Sequence, residues 1–184
     1  VVVGAGPAGL MAALVLARAG AKPILIERGS KAEERSEAVN LFWQSGKLNL
    51  NNNVLFGEGG AWLFSDGKLT ARSKDRRRIR LFFEDLVKAG ANADILIDSE
   101  PHLGSDTLLK IIPNLRKEIV SNGGEIRYNT ALTEINIENN KIVSIYAGNQ
   151  QIKTDYLILA VGHSARDIYR LLASMNVSME AKPT

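Results

Sequence analysis

The hydrophobic pattern of the chain begins with a strand, a helix and a second strand. Val1 to Val3 is apolar, the residues from about Pro7 to Ala19 have helical spacing up to Gly20, and Ile24 to Ile26 is apolar again. The same criteria predict three further helices: a charged stretch to about Ala38, Arg76 to Ala89, and Asp106 to Asn122, with Ser105 as cap and Pro113 as a kink or break. The pattern therefore predicts a βαβ unit followed by more helices.

The last third of the chain has the pattern of a β-meander. Short alternating strands are predicted at Glu125 to Tyr128, Leu132 to Ile137, Ile142 to Tyr146 and Gln151 to Lys153. Tyr156 to Val161 is a continuous apolar run, which is typical of a buried parallel strand, and a helix is predicted from Ala165 to Ser174. A parallel unit is therefore interrupted by an antiparallel meander before another strand rejoins the sheet.

The turn after the first strand carries a dinucleotide fingerprint. Gly4 permits a tight turn, Gly6 permits close approach to a pyrophosphate, and Gly9 permits close packing of helix and sheet. The N-terminus of the helix offers N–H groups and partial positive charge to phosphates. Glu27 ends the second strand, where a carboxylate can accept hydrogen bonds from ribose hydroxyls. The strand, turn, helix and acidic residue together predict dinucleotide binding.

The carboxylate of Glu27 narrows the choice of cofactor. A 2′-phosphate beside it would cost roughly 4 kcal/mol at about 4 Å and an effective dielectric constant of about 20. NADP is therefore disfavoured, whereas FAD and NAD both remain open. NAD dehydrogenases usually continue the βαβ pattern without a meander, so the order of elements favours FAD.

Composition excludes several kinds of chemistry. The 184 residues can form a domain with a core, and the net charge of +3 is too small to indicate a nucleic-acid partner. Cysteine is absent, which excludes a disulfide redox pair, a thiolate nucleophile and iron–sulfur ligation within these residues. With two His and no Cys, a zinc site is not expected. No apolar run is long enough to predict a membrane span.

Several segments resemble a family of FAD-dependent dehydrogenases of unknown substrate, within the glutathione-reductase-like two-dinucleotide flavoproteins. The resemblance rests on the fingerprint with Glu27-Arg28-Gly29 and on three later segments, which are Asn53 to Ala61, Phe64 to Leu69 and Ala160 to Asp167. Where the family has small residues after Glu-Gly-Gly-Ala, this chain has Trp62-Leu63. The resemblance implies a three-layer α/β FAD/NAD(P)-binding domain of Rossmann-like fold, with the meander and a helical segment inserted at about residues 40–104.

The predicted cofactor-binding residues come from the fingerprint, the Gly-rich loop, the meander and the final strand: Gly4, Gly6, Pro7, Ala8, Gly9, Glu27, Arg28, Gly59, Gly60, Ala61, Leu132, Val161 and Gly162. The adenine is expected beside Leu132. Lys68 and His163 are weak candidates for charge stabilisation and for acid–base chemistry at a flavin, because a solvated turn lysine and a loop histidine before a helix are the favoured explanations. Ser164 and Asp167 fit a capping box.

Two weaker candidates have ordinary structural explanations. His102 precedes a helix, and the basic residues Arg72, Lys74, Arg76, Arg77, Arg78 and Arg80 are typical of a solvated helix face. Because no aromatic platform accompanies these charges, nucleic-acid binding is not expected.

The sequence as a whole predicts a single partial FAD-binding domain over residues 1–184, belonging to a longer chain. We expect a further C-terminal segment to complete the flavin site, so that these residues alone bind FAD poorly. The expected partners are a small-molecule substrate, with NAD(P)H as candidate electron donor, in a cytoplasmic protein without integral membrane association. The alternatives are an NAD-linked dehydrogenase and a non-catalytic dinucleotide-binding module.

Overall fold

The computed structural model describes residues 1–65, 67–69, 73–98 and 101–181. In chain order its strands and α-helices are β1 (Val2–Val3), α1 (Pro7–Arg18), β2 (Ile24–Ile26), α2 (Ala32–Ser45), α3 (Arg76–Lys88), α4 (Ser105–Ser121), β3 (Glu125–Arg127), β4 (Leu132–Glu138), β5 (Lys141–Ala147), β6 (Gln150–Lys153), β7 (Ile158–Leu159) and α5 (Arg166–Ser174). Short 3-10 helices lie at Gly60–Phe64 and Ala93–Leu96.

A parallel sheet in the order β3-β2-β1-β7 forms the middle layer. Val2 and Val3 of β1 pair with Leu25 and Ile26 of β2, so that alternate side chains point to opposite faces. Val2 and Leu25 join one apolar core with α1, α3 and α4, whereas Val3 and Ile26 join a second core with the meander and α5. The result is the predicted three-layer α/β fold, which is confirmed.

The meander consists of the antiparallel strands β4, β5 and β6. Leu132 at the start of β4 pairs with Ala147 of β5, and Ile145 of β5 pairs with Ile152 of β6. These four side chains are buried against the parallel sheet. The meander therefore covers the face of the sheet that α1 and α4 leave open.

Several sequence predictions need correction. The segment predicted as the first meander strand is β3, which pairs with β2 in the parallel sheet. The run predicted to be a buried strand contains β7 at the sheet edge, with Ile158 40% exposed. The helix is not split at Pro113, because α4 continues from Ser105 to Ser121. Its cap position is occupied by Gly104 and not by Ser105. β3 lies at the other edge of this sheet, and its short alternating pattern is the same as that of the meander strands.

The segment predicted as an insertion contains the end of α2, an irregular stretch, both 3-10 helices and α3. Asp75 caps α3 by accepting a hydrogen bond from the Arg78 amide at 3.0 Å. Asp66 and Arg72, which belong to predicted motifs, lie outside the described residues. Among the described helices, none has the length and apolar character needed to cross a membrane.

Candidate cofactor site

The fingerprint turn packs so closely that its glycines cannot be replaced without displacement. Gly4 has φ of +99°, and a Cβ there would lie 2.5 Å from the carbonyl oxygen of Ala160. A Cβ on Gly9 would lie 1.7 Å from the carbonyl oxygen of Gly4. The first hydrogen bond of α1 runs from the Leu10 amide to the Gly6 carbonyl, so the amides of the first turn, including Ala8, have no partner within the helix. This end of α1 has the geometry that suits a phosphate.

A second glycine-rich loop, residues 57–60, lies directly against the fingerprint turn. The Gly59 amide donates to the Ala5 carbonyl at 2.8 Å, and the Glu58 amide donates to the Ser30 carbonyl at 3.0 Å. A Cβ on Gly60 would lie 3.0 Å from the Cα of Gly6. The two loops therefore meet backbone to backbone at the N-terminus of α1.

The carboxylate of Glu27 joins these two loops by accepting hydrogen bonds from amides of both. Its Oε2 accepts from the Ala5 amide at 2.7 Å, and its Oε1 accepts from the amides of Gly29 and Gly57 at 2.9 and 3.0 Å. The residue is 5% exposed. Because Oε2 accepts only one of these bonds, it retains acceptor capacity for a hydroxyl group. Ribose binding by Glu27 stays a prediction. The structure shows in addition that Glu27 holds the backbone of both loops.

Arg35 is the main residue that sequence analysis missed. It is fully buried in α2, and its guanidinium donates to the carbonyls of Asn53 at 2.7 Å and of Glu58 and Gly60 at 2.8 Å each. Its Cζ lies 4.8 Å from the centre of the Phe64 ring, a cation–π distance. Burial lowers the pKa of Arg35 to about 10, so the group remains charged at neutral pH. Arg35 thus fixes the course of the second glycine loop.

Glu58 is a second buried charge that the sequence did not single out. Its side chain is fully buried and accepts from the Tyr128 hydroxyl and, at 2.9 Å, from the Ala32 amide. The Arg116 Nε lies 3.2 Å from Oε1 of Glu58, while another nitrogen of Arg116 pairs with Glu33 at 2.7 Å. Burial raises the pKa of Glu58 despite these partners. Burial, followed by the charge of Glu58, likewise raises the pKa of Tyr128.

A cleft of about 410 Å³ lies over the two glycine loops, within the range of small-molecule sites. Its lining includes most of the predicted cofactor residues, namely Gly4, Gly6, Pro7, Ala8, Glu27, Gly60, Ala61, Val161 and Gly162. Gly9 and Gly59 do not line it; a Cβ on Gly59 would meet the Ile112 side chain of α4 at 2.6 Å. These two glycines are packing positions behind the cleft.

Leu132 and Arg28 lie in a small cavity next to the cleft, and Glu27 lines both spaces. Arg28 stacks over Phe56 at 4.5 Å and donates to Asp167 at 2.7 Å. The predicted capping box of Ser164 and Asp167 at the start of α5 is wrong, because Ala165 holds the cap position and no side chain caps the helix. The predicted position of the adenine beside Leu132 is compatible with this arrangement and stays a prediction.

The structure separates the two candidate catalytic residues. His163 is exposed on the rim of the cleft, with its Nε2 3.2 Å from the Ser164 hydroxyl. Lys68 lines a different cavity and pairs with His102 through a short antiparallel bridge. Within the described residues, acidic and histidine side chains form no cluster that could hold a metal ion. Of these two candidates, His163 lines the cleft and Lys68 does not.

Comparisons with known proteins agree with this geometry. Residues 1–45 match the family model of the FAD binding domain. An uncharacterized protein of Clostridium beijerinckii is 50% identical over 182 residues, which cover 99% of this chain and 34% of the relative. The chain therefore spans about a third of the length of the curated relative that it matches.

Solved structures share the fold at low sequence identity. THI4 of Thermovibrio ammonificans aligns with a TM-score of 0.60 at 17% identity, covering 96% of this chain and 62% of that protein. The flavin-dependent monooxygenase PieE, solved with FAD and substrate, aligns with a TM-score of 0.54 at 18% identity, covering 95% of this chain and 31% of that protein. The chain thus has the Rossmann-like α/β fold of these structures, and its N-terminal βαβ unit lies within the residues that match the FAD binding domain.

Proposed function

We propose that this chain binds FAD in the cleft and forms the cofactor-binding part of an oxidoreductase. The observation that carries the proposal is the contact between the two glycine loops at the N-terminus of α1, directly under the cleft. Gly6 and Gly60 leave backbone without side chains where a pyrophosphate has to approach, and the first-turn amides of α1 supply donors for it. Glu27 lines the same cleft with an acceptor for a ribose hydroxyl.

FAD bound there supplies two-electron redox chemistry, so the protein has to bind the cofactor, orient it and control the access of water. Gly60 and Gly6 set the backbone distance to the pyrophosphate, while Glu27 and Arg35 keep the two loops in place. His163 at the rim can hold a proton close to a bound substrate. The proposal also includes a small-molecule substrate and NAD(P)H as electron donor. It includes a further segment of the same protein that completes the wall around the flavin.

A glycine substitution tests the site directly. In Gly60→Ala the new methyl group would meet the Cα of Gly6 at 3.0 Å and narrow the pyrophosphate position. We expect the affinity for FAD, measured by titration of the full-length protein, to fall at least tenfold. Gly46→Ala is the matched control, because Gly46 also has positive φ, +71°, but a Cβ there has nothing within 4 Å. Equal FAD affinity in both variants would contradict the proposed position.

Two rivals are separated by simple measurements. An NAD-linked dehydrogenase would be purified without a visible flavin spectrum and would bind NAD in the same cleft. A non-catalytic module would hold flavin but show no turnover with NAD(P)H and any acceptor. The meander, which packs on the parallel sheet as in FAD-binding folds, favours FAD over NAD.

A further inference from the structure

A second cavity lies beside the cofactor cleft and shares two of its lining residues. It measures about 370 Å³, and both Pro7 and Trp62 line it as well as the cleft. This volume is enough for a small organic molecule. These two side chains therefore form part of the wall between the second cavity and the cleft.

Aromatic side chains form the floor of the second cavity. Trp62 and Phe82 have ring centres 6.3 Å apart, and Phe82 and Phe83 have ring centres 5.8 Å apart. All three side chains are partly exposed, although they pack on the main apolar core. Tilted rings at these distances offer both faces and edges to another aromatic group.

The polar side chains of the described residues that line this cavity are cationic or neutral. Lys68, Arg78 and Ser73 line it, and no carboxylate does so among the described residues. Arg78 places its Nε 3.2 Å from Asp75, which leaves its other guanidinium donors for a second partner. Arg76 and Arg77, the preceding residues of α3, do not line the cavity.

We propose that this cavity is the substrate site and that it selects a small organic acid with an aromatic or branched apolar body. The rings would contact the apolar body, and the cationic rim would contact the carboxylate. The inference rests on the proposed FAD site, because the shared wall of Pro7 and Trp62 connects the cavity to the cofactor cleft.

Calorimetric titration of the full-length protein loaded with FAD tests this assignment with three probes. These are 3-phenylpropionate, the uncharged 3-phenylpropionamide of the same shape, and propionate, which lacks the ring. We expect the aromatic acid to bind about fivefold or more tightly than the amide, and propionate to show no saturable binding. Equal affinities for acid and amide would overturn the charge selection, and absence of saturable binding by the aromatic acid would overturn the site.

Matched variants locate the binding. Arg78→Glu should weaken the aromatic acid about five- to tenfold and leave the amide unchanged. Arg77→Glu should change neither probe by more than about twofold, because Arg77 is on the same helix but outside the cavity. Phe82→Leu should weaken acid and amide alike. Equal effects of the two arginine substitutions would contradict the proposed position.

The flavin spectrum of the same samples separates the two proposals. A protein that retains flavin but does not bind the aromatic acid overturns the substrate site and leaves the cofactor site standing. A protein without flavin overturns the proposed function whatever the titration shows. Occupation of the cavity by another segment of the protein would appear as the first outcome.

Discussion

The two walls of the cofactor cleft are built in different ways. One wall is formed by the fingerprint turn and the loop at residues 57–60. Two buried charged side chains hold it: Glu27 accepts hydrogen bonds from its amides, and Arg35 donates hydrogen bonds to its carbonyls. The other wall follows β7, where the Ala160 amide donates to Val3 at 2.8 Å, and then leaves Gly162 exposed. There the Tyr169 hydroxyl donates to the Gly162 carbonyl at 3.1 Å in an exposed setting.

This difference shows how a protein can fix backbone without regular secondary structure. The first wall has positive φ at four glycines and no strand, so its shape depends on charged side chains that bind main-chain groups. Such bonds are strong because the groups are buried, and their loss leaves buried carbonyls and amides unpaired. The second wall has few such bonds. A further segment or a bound ligand would therefore stabilise the backbone of this wall more than that of the first wall.

The strongest test of this comparison is Arg35→Met. The variant keeps an apolar stem but removes the guanidinium donors to the carbonyls of Asn53, Glu58 and Gly60. We expect a loss of about 3–5 kcal/mol in the free energy of unfolding, measured by urea denaturation, because buried partners are left unpaired. FAD binding should be lost with the loop. Arg77→Met, on an exposed helix face, should change stability by less than about 0.5 kcal/mol.

A smaller effect is expected for Glu27→Ala. If Glu27 also binds the ribose, FAD affinity should fall by roughly 1.5–3 kcal/mol, about ten- to a hundredfold in dissociation constant. The three amides that it holds also lose their acceptor, so urea denaturation should show reduced stability without ligand. A stability loss with unchanged FAD affinity in the folded protein would show that Glu27 serves the loops alone.

The buried carboxyl of Glu58 gives the first wall a pH dependence. Burial raises its pKa above the ordinary value of 4.5, so the folded state binds more protons than the unfolded state between the two pKa values. Stability from this group is therefore full below pH 4.5 and is lost as the pH rises through the folded-state pKa. Glu125 acts in the opposite sense, because the hydrogen bond from Arg127 lowers its pKa.

Glu58→Gln isolates this contribution. Urea denaturation at a series of pH values should show wild-type stability falling relative to Glu58→Gln as the pH rises from about 4.5 to 8. Glu37→Gln, a change at an exposed position of α2, should follow the wild type at every pH. A constant difference between wild type and Glu58→Gln would mean that the folded-state pKa of Glu58 is ordinary.

Local sequence was sufficient for the βαβ unit but not for the charges that support it. Val2, Val3 and the glycines of the turn follow rules that depend only on neighbouring residues, so the layers and about half of the residues that line the cleft could be predicted. Arg35 could not, because it stands in a charged helix beside Glu33 and Glu34, where one residue is buried and the others are exposed. Its partners lie about 20 residues further along the chain, and the local pattern contains no sign of them.

The smallest predicted effect belongs to the pair of Arg28 and Asp167, which joins the loop after β2 to α5, the helix that follows the second wall. Asp167→Asn removes the charge that pairs with Arg28, but the Asp167 side chain is 53% exposed, so water screens the pair. We expect a stability loss below about 1 kcal/mol, decreasing further at high salt, as measured by urea denaturation. FAD affinity should change little if Arg28 stays stacked over Phe56. A loss as large as that of Arg35→Met would show that the second wall also depends on a fixed charge, and the contrast between the two walls would fail.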